Sequence, residues 1–210
     1  MIKYVDIHSH GIVQEDKEIF SYPTLSVTDE GIYTYDQPFW CGLHPCESMN
    51  GNVLIERLEV VQEHLIGIGE IGLDANCVVE NQKELFELQF DFARRKKLPI
   101  TIHVVKAYNE LVRTLRQKGG ERVVIHSFIS HPVVAQHLLD SGCYLSFGSS
   151  SLRSGKSVDA LRRMPTDRLF IESDGKGDLK SVYEQIAKIK GLELEELKQI
   201  IYNNYTCLIG

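Results

Sequence analysis

Short apolar runs alternate with helix-like segments along most of the chain, and this alternation restricts the fold more than any other feature. Residues 65–70, 99–103 and 123–126 are rich in apolar side chains, as in strands that are buried on both faces. Residues 82–97 and 109–118 instead place their apolar side chains at helical spacing. Strands that alternate with helices predict a parallel sheet covered by helices, which is an α/β fold.

The full series of predicted elements is long enough for a closed barrel. Strands are expected at residues 5–10, 25–28, 39–45, 65–70, 99–103, 123–126, 143–147 and 168–174. Helices are expected at residues 53–64, 82–97, 109–118, 132–140, 182–190 and 194–202. Residues 12–20 form a poor helix at best, so the early helix and strand region is expected to be shortened or weak. We therefore predict a compact (β/α)8 TIM barrel that forms a single domain over residues 1–210.

Side chains that can bind a metal ion fall at the ends of the predicted strands. His8 and His10 have the same parity on the first strand and lie about 7 Å apart along it, so both imidazoles can reach one cation. Asp6 shares that parity and is expected to orient one imidazole. The other candidates end later strands: Glu70, His103, His126 and Asp174. Each alone could be a core histidine or a helix cap, but in a barrel all six would share one mouth, which predicts a metal site.

Composition and charge exclude several classes of protein. The formal net charge of −6 gives no footprint for tight, non-specific binding of nucleic acid. The five cysteines are odd in number and include no close C-x-x-C pair, so we expect no disulfide framework and a reducing compartment. Neither a signal peptide nor a run that could span a membrane is visible, so we expect a cytoplasmic protein without a membrane partner. No obligate protein partner is evident.

Seven ordered motifs give the chain a family resemblance that spans nearly its whole length. Residues 6–10 read DIHSH, residues 42–45 GLHP and residues 69–74 GEIGLD. The later motifs are LPITIH at 98–103, HSF at 126–128, YLSF at 144–147 and ESD at 172–174. In this order they resemble the TatD-type metal-dependent hydrolases, a branch of the amidohydrolase-like TIM barrels.

This resemblance implies two divalent metal ions and a role for each candidate ligand. One ion would be held by His8, His10, Glu70 and Asp174. Glu70 would bridge to a second ion that is held also by His103 and His126. Such a pair of ions activates water for attack on phosphorus, and Asp174 could accept the proton, so Asp174 and Glu70 are the expected catalytic residues. Imidazole and carboxylate ligands suit Zn, Mn, Ni or Mg.

The likeness implies a deoxyribonuclease that acts on DNA ends, but the region expected to contact substrate departs from the family pattern. The family has an arginine just after the strand-five histidine, and here Lys106 stands close by without the bidentate guanidinium fork. The loop after Asp174 is also short. Hydrolysis of a small phosphoester, an amide or a lactone therefore stays open, as does a barrel that binds metal without catalysis. Lys106, Arg153 and Lys176 are the nearest candidates for contact with substrate charge.

Four further histidines and two cysteines receive less specific predictions. The family shares His44 but does not use it to bind metal, so a structural or outer role is expected. His64, His131 and His137 have no ligand partners at meaningful spacing and are expected on the surface or on helices. Cys41 and Cys46 flank His44, and we expect both to be small buried hydrophobic residues.

Overall fold

A computed structural model describes residues 2–10, 16–175 and 177–210, and in them eight parallel strands form one sheet. The strands pair in the order in which they occur along the chain. Their bounds are β1 Tyr4–His10, β2 Ile19–Ser26, β3 Phe39–Gly42, β4 Leu65–Asp74, β5 Ile100–Val105, β6 Val123–Ile125, β7 Tyr144–Phe147 and β8 Leu169–Ile171. This sequential parallel order confirms the predicted α/β barrel.

The barrel is brought close to a full ring where the end of β8 meets β1. The backbone N–H of Asp174 donates to the carbonyl of His8 at 3.1 Å. Ser173 donates to both oxygens of the Asp6 carboxylate, at 2.9 Å from its backbone and 2.6 Å from its hydroxyl. These contacts place the end of β8 directly beside the two histidines of β1.

Eight α-helices cover the sheet in the described part of the chain. They are α1 Gly51–Val61, α2 Gln82–Lys96, α3 Tyr108–Lys118, α4 Pro132–Asp140, α5 Ser149–Leu152, α6 Gly155–Arg163, α7 Leu179–Lys190 and α8 Leu194–Ile209. The helix α2 buries Leu85, Phe86 and Phe90 against the strands, and its last turn carries three basic residues that complement the helix dipole. No helix among the described residues is long and apolar enough to cross a membrane.

The early region differs in detail from its prediction. The second strand is Ile19–Ser26 rather than residues 25–28, and it pairs with β1 from Tyr4 opposite Ile19 onward. Residues 12–15 of the segment expected to be a poor helix lie outside the described residues. Between 16 and 38 the helical structure is one 3₁₀ turn, Glu30–Thr34, so the expectation of a weak early region agrees with the described part.

Two later helices were not predicted, and one runs further than expected. The helices α5 and α6 follow β7, where the serines and charged residues of 149–159 mask any apolar stripe. In the structure α6 buries the apolar side chains of Ala160 and Leu161, and α5 buries Ser151. The last helix continues to Ile209 because Leu208 is also buried.

Candidate metal centre

The carboxyl ends of five strands bring the six predicted ligand residues together. They are His8 and His10 on β1, Glu70 on β4, His103 on β5, His126 after β6 and Asp174 after β8. Their donor atoms fall into overlapping groups within 4.8 Å of one another, which include His8 with His10 and Asp174, and His8 with Glu70 and His126. The predicted convergence at one mouth is therefore observed, while the ligand roles stay predictions.

Glu70 lies at the centre of this cluster, and its two oxygens face different imidazoles. Oε1 is 2.7 Å from Nδ1 of His103 and 2.8 Å from Nε2 of His126. Oε2 is 3.4 Å from Nε2 of both His8 and His10. A carboxylate in this arrangement can contribute one oxygen to each of two neighbouring cations.

Asp174 completes one side of the cluster. Its Oδ1 lies 3.3 Å from Nε2 of His10 and 3.8 Å from Nε2 of His8. Its backbone has a positive φ of 55°, a conformation that aspartate adopts more readily than most residues. The side chain is 28% exposed, so solvent in the mouth can reach this carboxylate.

Burial and charge pairing compete in the buried groups of the cluster, and pairing outweighs burial at Glu70 and His126. Burial opposes ionisation of Glu70, but His126 and the hydrogen bonds from His103, His126 and His8 outweigh it and lower the pKa of the carboxyl. Burial likewise opposes protonation of His126, yet the charges of Glu70 and Glu172 raise the pKa of His126 well above its ordinary value. The fully buried His8 has a lowered pKa because burial dominates.

Charge pairing also sets the protonation of the more exposed pair, His10 and Asp174. A hydrogen bond to Asp174 raises the pKa of His10 above its ordinary value. Burial favours the neutral form of Asp174, but the contact with His10 and the charges of His126 and His8 lower the pKa of its carboxyl. Both carboxylates of the cluster are thus ionised at neutral pH and available as ligands, and metal binding would displace protons from imidazoles.

Three residues that were not assigned a role contact the outer nitrogens of the candidate ligands. Thr24 Oγ1 lies 3.3 Å from Nδ1 of His8, and Asp74 Oδ2 lies 3.1 Å from Nε2 of His103. Glu172 Oε1 lies 3.6 Å from Nδ1 of His126. Imidazoles that bind metal usually have such partners, which fix the ring and its tautomer. Asp74 and Glu172 belong to the GEIGLD and ESD motifs, and their place in these motifs is the sequence signal that could have identified them.

Asp6 does not orient an imidazole, as had been expected from strand parity. Its carboxylate accepts two hydrogen bonds from Ser173 instead. The pairing of β1 with β2 shifts register between Asp6 and Ser9, so simple alternation does not hold across this segment. Burial raises the pKa of Asp6 to about 7 against the opposing hydrogen bonds from Ser173.

His44 lies beside the part of the cluster formed by Glu70 and His103. Its Nε2 is 3.6 Å from Oε1 of Glu70, and its ring centroid is 4.6 Å from that of His103. With Glu70 and His103 it forms a further group of possible donors. The structural or outer role expected for His44 stays a prediction. His64, His131 and His137 are exposed, as predicted.

Lys106 and Arg153, the two described residues that were candidates for binding a charged substrate, form no hydrogen bond or ion pair with the ligand cluster. Lys106 is exposed at the end of β5, and its Nζ donates to the Asn76 side chain at 2.9 Å. Arg153 donates to Ser150 at 3.1 Å. Lys176 lies outside the described residues. The assignment of Lys106 to substrate binding is therefore still a prediction.

A disulfide between Cys46 and Cys77 contradicts the expectation of unpaired cysteines. The two residues are 31 positions apart and follow β3 and β4, whose pairing brings their turns together. Sequence spacing alone could not reveal this contact. Cys46 is exposed rather than buried, whereas Cys41 is buried as predicted.

His10 lines two cavities. The smaller, of about 250 Å³, is lined by His10, Thr24, Leu25, Ser26, Gly42, His44, Glu47 and Glu70. In it the Glu47 carboxylate accepts hydrogen bonds from the hydroxyls of Ser26 and Thr28 and from the backbone of His44. The larger, of about 560 Å³, lies between the ends of β1 and β8 and includes Asp178 and Lys180. Space for a substrate therefore adjoins the cluster directly.

A sequential parallel barrel with a histidine and carboxylate cluster at its carboxyl mouth defines the class of metal-dependent hydrolases built on the TIM barrel. The family model described as TatD related DNase matches residues 25–210. The chain belongs to this family, which confirms the resemblance and the metal-dependent hydrolase class expected from the sequence.

Relatives and solved structures agree with this family. The metal-dependent hydrolase YabD of Bacillus subtilis is 31% identical over 88% of this chain and 82% of its own length. Human deoxyribonuclease TATDN3 is 26% identical over 78% of this chain and 70% of its own. The chain spans 66% of mouse TATDN3. The crystal structure of the TatD homologue YJJV from Escherichia coli shares the fold, with a TM-score of 0.80, 20% identity and coverage of 98% and 97%.

Proposed function

We propose that the chain hydrolyses phosphodiesters, with exposed DNA ends as the substrate, at a centre that holds two divalent ions. The observation that carries this proposal is the geometry of Glu70, whose oxygens face His8 and His10 on one side and His103 and His126 on the other. The name of the human relative, a deoxyribonuclease, supports DNA as the substrate.

The donor set fits such ions. Six imidazole and carboxylate groups converge, and no thiolate is among them, which suits Zn, Mn, Ni or Mg. His8, His10, Glu70 and Asp174 would hold one ion, and Glu70, His103 and His126 the other. When bound, the two ions supply a water of lowered pKa and stabilise charge on the phosphate oxygens.

The chain's own residues then move the proton and fix the geometry. Asp174 is ionised because its pKa is lowered, and it is partly open to solvent, so its carboxylate can accept the proton of the attacking water. Thr24, Asp74 and Glu172 fix the imidazoles from behind. The two cavities beside His10 leave room for the scissile bond at the edge of the cluster.

A small phosphoester, amide or lactone is the second candidate substrate, and the smaller cavity favours it. About 250 Å³ suits a small molecule, and Glu47 on its wall would repel an anionic phosphate, which within this cavity favours an uncharged amide or lactone. Lys106 contacts Asn76, so the described structure aims no cation from this residue at the cluster.

Cleavage of a short single-stranded oligonucleotide tests the proposal. Asp174→Asn should lower turnover about 10²–10⁴-fold with metal in excess, since this is the usual worth of general acid–base catalysis. Asp167→Asn is the matched control, because Asp167 is exposed at the opposite end of β8 and should leave the rate unchanged.

The outcomes separate the mechanism from the substrate. Cleavage that survives a chelator, or equal rates for wild type and Asp174→Asn, would reject the mechanism. Inactivity on DNA together with turnover of a small phosphoester, amide or lactone would move the substrate to the second candidate. Inactivity on all of them in the metal-loaded protein would leave a barrel that binds metal without catalysis.

A further inference from the structure

Cys46 and Cys77 link two turns at the mouth of the barrel. Cys46 follows β3 and Cys77 follows β4, and their Cα atoms are 5.1 Å apart, within the usual range for a disulfide. Cys46 is exposed and Cys77 is half-buried, so small thiols and disulfides in solution can reach the pair. Cys41 and Cys143 differ, because burial raises the pKa of each thiol to about 12 and keeps it unreactive.

The first of these turns is connected to the metal centre through His44. The backbone N–H of Cys46 donates to Nδ1 of His44 at 3.2 Å. The other ring nitrogen of His44 faces Oε1 of Glu70 at 3.6 Å. A displacement of Cys46 therefore acts on an imidazole that lies against the central carboxylate.

The second turn is connected through Asp74. The backbone N–H of Cys77 donates to the carbonyl of Asp74 at 3.1 Å, and the Asp74 carboxylate lies 3.1 Å from Nε2 of His103. Both turns thus hold residues on the side of Glu70 that faces His103 and His126. The disulfide joins the two supports of one half of the cluster.

A second link keeps these turns together when the disulfide is absent. The Gln82 amide donates to the carbonyls of Pro45 and Asp74, both at 3.1 Å, and its oxygen accepts from the backbone of Asp74 at 2.8 Å. Reduction should therefore loosen the turns without separating them, so the effect at the metal centre is a change in affinity rather than loss of the site.

We propose that Cys46 and Cys77 form a reversible thiol–disulfide site that tunes metal binding at the half of the centre held by Glu70, His103 and His126. In oxidation, the two thiols lose two protons and two electrons to a small-molecule disulfide, which becomes two thiols while the Cys46–Cys77 bond forms. The closed bond holds His44 and Asp74 in place, and reduction releases them. The proposal rests on the proposed function only in taking this half of the centre to bind metal.

The test uses the full chain, oxidised with glutathione disulfide or reduced with a phosphine that is then removed. Mn²⁺ is the probe, because it prefers nitrogen and oxygen ligands to thiolates. One of the two Mn²⁺ dissociation constants should rise about 10-fold on reduction while the other stays unchanged, and 10-fold is the lower end of the effect of losing an outer partner. Alkylation and mass spectrometry report the bond: in the oxidised protein Cys207 should be modified while Cys46 and Cys77 stay linked.

Variants keep the proposal falsifiable. Cys46→Ser and Cys77→Ser should bind Mn²⁺ like the reduced wild type in both buffers, whereas Cys207→Ser should still respond to oxidation. Alkylation of Cys46 and Cys77 after oxidation, or equal Mn²⁺ affinity in the two states, would overturn the proposal. A redox-dependent affinity without hydrolysis of any substrate would instead overturn the proposed function alone, and hydrolysis with unchanged affinity would overturn only this proposal.

Discussion

If the centre binds two ions as proposed, replacing Glu70 by alanine should remove both of them. This carboxylate is 6% exposed, and its two oxygens face separate pairs of imidazoles. Loss of an outer partner of a ligand typically weakens metal binding 10–100-fold, and loss of a direct ligand should exceed that. We therefore expect each dissociation constant to rise more than about 100-fold, which corresponds to about 2.8 kcal/mol for each ion.

Comparison with a variant that lacks a ligand of only one ion makes this prediction specific. His103→Ala touches only the half of the cluster near Oε1 and should lower the metal content from two ions to one. Glu63→Ala is the matched control, because Glu63 is exposed just before β4 and should leave both ions bound. Metal content after dialysis against limiting Mn²⁺ gives the result. Two ions at unchanged affinity in Glu70→Ala, or the loss of one ion only, would refute the bridging role.

Unfolding of wild type and Glu70→Ala in the presence of a chelator tests the pairing of the Glu70 carboxylate with His126. The lowered pKa of Glu70 contributes stability that is present above its ordinary 4.5 and is lost as the pH falls through its folded value. The raised pKa of His126 contributes stability that is complete below its ordinary 6.5 and is lost as the pH rises through its folded value. Wild type should therefore exceed the variant most between about pH 4.5 and 6.5, and a gap that widens at higher pH would contradict the pairing.

Two further substitutions separate metal affinity from stability. Glu172→Gln keeps the volume of a fully buried side chain but removes the charge beside His126, so metal affinity should fall about 10–100-fold while a matched exposed change, Glu63→Gln, leaves it unchanged. Gln89→Leu should instead lower the free energy of unfolding in urea by about 1–3 kcal/mol, because Gln89 pairs with the backbone N–H and carbonyl of Leu43. Unchanged affinity in the first variant, or unchanged stability in the second, would contradict these assignments.

The convergence of the six candidate ligands was predictable because these residues are chemically distinctive and each occurs near the end of a strand. His103 and His126 each end an apolar run, and the parallel order of the strands carries all such ends to the same mouth. This inference needs only the existence and direction of the strands. It tolerates errors of several residues in their bounds, as at β4, which runs to Asp74 rather than ending at Glu70.

Predicting the residues that contact the outer nitrogens of the ligands requires the strand bounds and register as well as the strand direction. Thr24 was overlooked because the second strand was expected to begin at residue 25, whereas it begins at Ile19 and sets Thr24 opposite His10. Simple strand alternation predicts that Asp6 contacts the outer nitrogen of a β1 histidine, but Thr24 makes this contact. The alternation fails because the pairing of β1 with β2 shifts register between Asp6 and Ser9. The Cys46–Cys77 pair depends on two turns whose shapes have no periodic signature.

These failures have a common physical origin. A metal ligand is restricted to a few residue types, so its identity narrows its role before any geometry is known. An outer partner needs only one polar atom close to an imidazole nitrogen: Thr24 and Asp74 supply it here within hydrogen-bond distance, and Glu172 supplies a carboxylate oxygen 3.6 Å away. The backbone register therefore decides which residue becomes the outer partner. It must be known to within about one residue, because a register shift of one residue turns each side chain to the opposite face of the strand. Residue chemistry accordingly predicts the ligands of this barrel, and register selects the residues that hold them.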